Sequence, residues 1–290
     1  MTDQDRLLAL AHRVAAGYQS RPNLAAILLT GSVARGRADA VSDVDMTLYY
    51  DTLPTPDEFE AIQQSARDSG GGVYGYQADE GLACYHFIDG IKVDTAHTAV
   101  SAIDAMLAQF VQTPPLAEPN QFIVMSGIQQ GIPLHGAAII QRWQHALAAI
   151  DAPFFEAIVT ANLRFAPRAV LQEMGVDRAD YWLVYELLLD AQQRIMNLLC
   201  GLNRRIPPGK IKGMDASLAG LAIAPADVVA RLRQLWLLPP DTAVAALLAL
   251  ELEMLDLVDA HMPQVDTAPL RQRLDYVLRQ APVNDGGGSD

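Results

Sequence analysis

Apolar positions recur at helical spacing from about Gln4 to Tyr18, where Leu7, Leu8, Leu10, Ala11, Val14 and Ala15 predict a helix. Arg21-Pro22-Asn23 breaks it. Leu24 to Leu29 is then a short continuous apolar run, the pattern of a buried strand, and it ends on Thr30-Gly31-Ser32. Val44 to Tyr50 alternates and is rich in β-formers, which predicts a second strand. Pro54 to Asp68 reads as a helix and Gly70-Gly71-Gly72 as a turn. Two more β-like runs lie around Ala83–Ile88 and Ile91–Thr95. Asp89-Gly90 separates them, and Asp-Gly between such runs is a strong hairpin signal.

After Val100 the pattern changes to helical spacing, with no further convincing strand. Ser101–Val111, Ala138–Ile150, Pro153–Glu173, Asp177–Leu202 and several later segments are Leu/Ala-rich and punctuated by Pro and Gly. The fold class expected is therefore α/β (α+β). A small mixed sheet with its helices occupies residues 1–150, and an all-α helical bundle occupies 151–283. Residues 284–290, Asn-Asp-Gly-Gly-Gly-Ser-Asp, have the composition of a flexible tail. No internal repeat stands out.

Composition narrows the function classes. A chain of 290 residues with 51 % hydrophobic content suits one large or two ordinary domains with a sizeable core. Lys plus Arg is 21 and Asp plus Glu is 34, a formal net charge of 21 − 34 = −13. Such a chain repels polyanions at long range, and nucleic-acid binding needs a basic patch. The densest basic segment is Asn203-Arg-Arg-Ile-Pro-Pro-Gly-Lys-Ile-Lys212, so a nucleic-acid partner is not expected. A cationic small molecule would suit this field, although acidity for solubility alone is the commoner reason for it. Cys84 and Cys200 sit in apolar contexts outside any C-x-x-C motif, as buried structural thiols do. Met1-Thr-Asp-Gln-Asp-Arg6 lacks a signal-peptide pattern, and no apolar stretch reaches membrane-spanning length. A soluble cytoplasmic protein without membrane partners is expected.

The chemistry concentrates between Leu29 and Met46. A buried strand running into Gly31-Ser32 permits close backbone approach to a ligand and adds a hydroxyl. Val33-Ala34-Arg35 can begin a short helix whose amides point at an anion. Arg35 adds positive charge and Gly36 lets the chain turn. Asp43 and Asp45, two apart at the start of a strand, project from one face. Paired carboxylates repel unless a cation neutralises them, and Mg²⁺ takes one or two carboxylates plus phosphate oxygens. Asp94, on the later run Ile91-Lys-Val-Asp-Thr95, joins that cluster if its strand is adjacent, as a metal ligand or as a base. A lone D-x-D is usually a solvated pair. The joint order of apolar strand, Gly-Ser, Arg-Gly and D-x-D opening a strand is what carries weight.

Gly31-Ser32 followed by Asp43-x-Asp45 resembles the signature of the DNA polymerase β-like nucleotidyltransferase superfamily. The fuller form, through Ser42-Asp-Val-Asp45, is similar to small bacterial members such as aminoglycoside and lincosamide nucleotidyltransferases and the minimal partners of toxin–antitoxin pairs. The resemblance covers about residues 24 to 97. It implies a small mixed sheet with helices on one face, Mg²⁺ on Asp43, Asp45 and Asp94, and ATP as co-substrate. It implies nucleotide contacts from Gly31, Ser32, Arg35 and Ser42. The Asn-Arg-Arg-x-Pro-Pro-Gly-Lys segment looks like one attached to such domains, which adds Lys210 to the nucleotide-binding set. In some antibiotic nucleotidyltransferases the helical domain supplies a base carboxylate. Glu186, beside Tyr185 and Leu187 on a mostly apolar helix, is the candidate for that role here.

The expected activity is transfer of AMP from ATP to a hydroxyl of a small acceptor, of the aminoglycoside-resistance kind. The alternatives are adenylylation of a protein partner, as in toxin neutralisation, and a regulatory module that has lost catalysis. Pro207 and Pro208 are expected to stop the long helix before them. The six histidines assemble into no motif.

Overall fold

The computed structural model describes residues 2–116 and 118–276, so the tail expected at 284–290 lies outside the described residues. The chain forms two compact units, Met1–Asp151 and Ala152–Asp290.

In the first unit, α1 (Asp3–Tyr18) begins at a capping box: Asp5 N donates to Thr2 Oγ1 at 3.2 Å, and Thr2 N to Asp5 Oδ2 at 3.0 Å. The strands β1 (Leu24–Thr30), β2 (Val44–Tyr50), β3 (Gly72–Gln77), β4 (Gly81–Ile88), β5 (Ile91–Ala99) and β6 (Ile132–His135) make one sheet in the order β3-β4-β5-β2-β1-β6. β2 and β5 run parallel and the other neighbours antiparallel, so the sheet is mixed. The β4–β5 turn forms at Asp89-Gly90, where both residues have positive φ (53° and 76°), as a two-residue hairpin of this kind requires.

Helices cover both faces of the sheet rather than one. Ile27, Leu29, Val44, Met46, Leu48 and Val93 bury one face against Leu7, Leu10 and Ala11 of α1. On the same face α3 (Pro56–Asp68) sets Phe59, Ile62 and Ala66 against Leu82 and Cys84 of β4. On the opposite face Tyr49 meets Trp143 of α6 (Ala137–Ala148) edge-on at 4.8 Å. The reason lies in β1 and β2, where alternate residues on both faces are buried and need a cover each side. Between β5 and β6 run α4 (Val100–Phe110) and α5 (Pro119–Gln130).

Two strands escape the sequence pattern. β3 reads as turn and loop because Gly72 and Gly75 interrupt it, and it is an exposed edge strand with a register shift between Val73 and Gly75. β6 contains Pro133, which is tolerated at the other edge of the sheet.

The second unit is helical among the described residues: α7 (Ala152–Asn162), α8 (Tyr181–Leu202), α9 (Met214–Leu218), α10 (Val228–Gln234), α11 (Pro240–His261) and α12 (Ala268–Leu274). The helix expected over 153–173 ends early, at Asn162, ahead of Pro167, and a π-helical turn occupies Val170–Gly175. The helix expected from Asp177 starts instead at Tyr181. Ala179 is left-handed (φ 56°), and Asp180 caps the new start by accepting from Leu183 N at 3.3 Å. It also ends before the prolines. Asn203 Nδ2 donates to Leu199 O and Ile223 O while its Oδ1 accepts from Ile223 N, and Arg204 turns left-handed. Asn203, not Pro207, terminates α8. Both cysteines are buried and free.

Candidate metal centre

β1 delivers the chain to Thr30, which pairs with Asp45 across the β1–β2 ladder. Gly31 follows at φ 71°, a left-handed conformation. A Cβ at Gly31 would overlap Asp45 Oδ2 and lie 2.9 Å from its Cγ, so the carboxylate occupies the space that any other residue would fill. The helical turn α2 (Gly31–Ala34) is anchored by buried Val33. Gln4 of α1 braces this loop, donating to Val33 O at 2.8 Å and accepting from Ala38 N at 3.1 Å. A turn at 39–42 then sets up β2: Ser42 Oγ donates to Asp39 Oδ1 at 2.8 Å and accepts from Asp39 N at 3.0 Å.

The parallel β2–β5 pairing puts Asp45 beside Asp94. Partners in register project from the same face of a sheet, and Asp43 precedes Asp45 by one strand period. One carboxylate oxygen from each of Asp43, Asp45 and Asp94 lies within 4.8 Å of the others. All three groups are half-buried. The donors are all hard carboxylate oxygens, which suit a divalent cation of the Mg²⁺ type.

Charge supports the same fit. Lys92, two residues before Asp94 on β5, donates to Asp94 Oδ2 at 2.7 Å and to Asp43 Oδ2 at 3.4 Å. Lys92 offsets part of the negative charge of Asp43 and Asp94, and three carboxylates gathered this closely favour a divalent cation. Burial alone would push the Lys92 pKa down. Hydrogen bonds to Asp94 and Tyr74, with the charge of Asp94, outweigh it and hold the ammonium well above its ordinary value. Tyr74 donates its hydroxyl to Asp94 Oδ1 at 2.9 Å. The Lys92 ammonium sits 5.6 Å from the Tyr74 ring centre and 5.4 Å from that of Tyr85.

Gly31, Asp43, Asp45 and Asp94 are thus brought together, with Ser32 next to Gly31 on α2. Arg35 ends that turn and is exposed. Ser42 spends its hydroxyl on the Asp39 turn, where it shapes the approach to Asp43. Glu186 and Lys210 belong to the second unit. Glu186 lies on the exposed face of α8 rather than inward, and Lys210 is exposed. The carboxylate in the core of that unit is Glu251 of α11.

Lys92, Tyr74, Tyr85 and Gln4 were not singled out by the sequence pattern. Lys92 stands one strand period from Asp94, a spacing that could have found it. The others reach the site through tertiary pairings.

The fold and site define a mixed α/β unit bearing a carboxylate centre fit for a divalent cation, followed in the chain by a helical unit. No helix among the described residues is long and apolar enough to cross a membrane. No protein-family model matches the chain, and no curated protein matches it. Among solved structures it is similar to the nucleotidyltransferase-like protein from Exiguobacterium sibiricum 255-15, at 10 % identity and a TM-score of 0.39, over 92 % of this chain and 80 % of that one. The chemistry of the site therefore stands on its own residues.

Proposed function

We propose that the protein is a Mg²⁺-dependent nucleotidyltransferase that moves AMP from ATP to a hydroxyl of a small-molecule acceptor. The observation that carries this reading is the convergence of Asp43, Asp45 and Asp94 beside the Gly31-Ser32 turn. Asp43 and Asp45, with Asp94, would hold the cation. A bound Mg²⁺ supplies charge neutralisation for the triphosphate and the leaving pyrophosphate. In the reaction the acceptor hydroxyl oxygen bonds to the α-phosphorus, the bond from that phosphorus to the bridging α–β oxygen breaks, and pyrophosphate departs. The hydroxyl proton passes to Asp94. Ser32 and the amides of the Gly31 turn bind phosphate oxygens, and Arg35 and Ser42 are the further nucleotide contacts in this reading. Lys92 keeps Asp43 and Asp94 in place and partly neutralised.

A cationic acceptor of the aminoglycoside type suits the chain's charge of −13. An adenylylated protein partner is the other acceptor class within the same chemistry. The test is transfer of α-labelled AMP with Mg²⁺ against aminoglycosides, lincosamides and cell lysate, comparing wild type with Asp45→Ala. Label on a small molecule in the wild type only supports the proposal, and label on a protein band moves the acceptor to the second class. Retained ATP binding with no transfer to any acceptor overturns it in favour of a nucleotide-binding regulatory module.

A further inference from the structure

The sheet of the first unit has a second cleft, on the face opposite the three carboxylates. Asp94 points to one side of β5, and its neighbours Val93 and Thr95 line this cleft on the other. Arg13, Gly17, Tyr18 and Arg21 wall it from α1 and the turn after it, Ser65 from α3, and His86 from β4. Its volume is about 340 Å³, within the range of roughly 300–1,000 Å³ typical of small-ligand pockets.

Three features of this cleft ask for a ligand. Arg21 is half-buried, and among the described residues no carboxylate lies in salt-bridge contact with it, although the chain carries 34 acidic side chains. Its guanidinium lies 5.0 Å from the Tyr18 ring centre. Of the groups that line the cleft, the Arg21 charge acts after burial on two, lowering the pKa of His86 and opposing the rise at Tyr18. His86 is 8 % exposed, faces the cleft, and its ring makes no hydrogen bond to any described residue. Gly17, in the last turn of α1, has nothing within 4 Å of where a Cβ would stand. Packing does not require glycine there, and its smallness leaves the cleft open.

We propose that this cleft binds a small molecule through an oxyanion, a phosphate or a carboxylate group, held by Arg21 and His86 with Thr95 and Ser65 as hydroxyl partners. The planar guanidinium matches such groups in a two-point fashion. Arg13 stands at the rim, where it pairs with Asp89 of the β4–β5 turn. The remainder of the ligand packs on Tyr18, Ile88 and Val93. This site is independent of the carboxylate centre and of the nucleotidyl-transfer reading.

The experiment is a titration of the full chain with inorganic phosphate, and in a second arm with succinate, against sodium chloride at matched ionic strength. The readout is the ¹⁵N resonances of the His86 ring. A saturable shift with either anion is expected, unchanged in Asp45→Ala and weakened at least about tenfold in Arg21→Gln, the scale of a lost charged hydrogen bond. Gly17→Leu fills the cleft while keeping every donor and improving helix propensity, so it should fold and lose the shift. No saturable shift with either anion overturns the proposal. So does equal affinity in wild type and Gly17→Leu.

Discussion

Gly31 and Asp45 occupy one another's space: the Asp45 carboxylate lies where a side chain at position 31 would begin. Gly31 also has φ 71°, so two independent requirements exclude any other residue. Replacement by alanine adds backbone strain of about 1–2 kcal/mol and displaces Asp45 from its place beside Asp94. Gly31→Ala should therefore lower the melting temperature in metal-free buffer and remove most of the stabilisation that Mg²⁺ confers. Thermal unfolding with and without Mg²⁺ checks both, and an unchanged Mg²⁺ response would break the link between this glycine and the metal centre.

Lys92 acts as a built-in counter-ion. Lys92→Met removes the ammonium that pairs with Asp43 and Asp94 in the three-carboxylate cluster. Like charges this close destabilise the metal-free fold, and a divalent ion relieves them. The variant should be less stable than wild type in chelator by about 1 kcal/mol, with a larger gain on adding Mg²⁺ or Mn²⁺. A gain equal to that of wild type would show that Lys92 does not offset the carboxylate charge.

Glu251 is fully buried in α11, and neither side-chain oxygen has a hydrogen-bond partner among the described residues. Burial pushes its pKa well above the ordinary carboxylate value, because the charged form loses its hydration there. In the unfolded chain it ionises near 4.5. The stability tied to this group is full below that pH and falls as pH rises through the folded-state pKa. Glu251→Leu should stabilise the protein at pH 8 by about 1–3 kcal/mol and flatten this slope, read by denaturant unfolding between pH 4 and pH 9. A destabilised Glu251→Leu at pH 8 would mean that the carboxyl has a favourable role in the core.

His97 behaves in the opposite sense. Its ring stacks on Tyr50, its Nδ1 contacts the Tyr50 hydroxyl at 3.0 Å, and its Nε2 is buried without a partner among the described residues. Burial, then the charges of Arg21 and His86, lower its pKa from 6.5 to about 3. A depressed histidine contributes stability that is full above pH 6.5 and lost as pH falls through the folded-state value. Its ring resonances should stay flat from pH 8 to about pH 4.5. A midpoint for His97 near 6 would contradict its placement in this aromatic core.

Much of the site was legible as pattern because its parts are local. A glycine after an apolar strand, and carboxylates two apart at the start of the next, express strand periodicity directly, and Asp89-Gly90 encodes its own turn. Partnership is not local. That β5 lies parallel to β2 in the register Asp45↔Asp94, and that Tyr74 of a glycine-broken edge strand reaches Asp94, follows from how the sheet assembles. Burial also misled where a carboxylate stands between apolar neighbours in a Leu-rich helix. Glu186, flanked by apolar neighbours, is exposed, and Glu251, in an equally apolar helix, is in the core. The composition of a helix does not say which stripe its neighbours cover, and α8 and α11 acquire that stripe only by packing. The sequence by itself determined the class of elements, the hairpin and the residue types of the metal centre, because those obey nearest-neighbour rules. The tertiary structure alone decided which strands lie side by side, which carboxylates share a cation, and which ionisable groups leave water, because these depend on contacts between residues far apart in the chain.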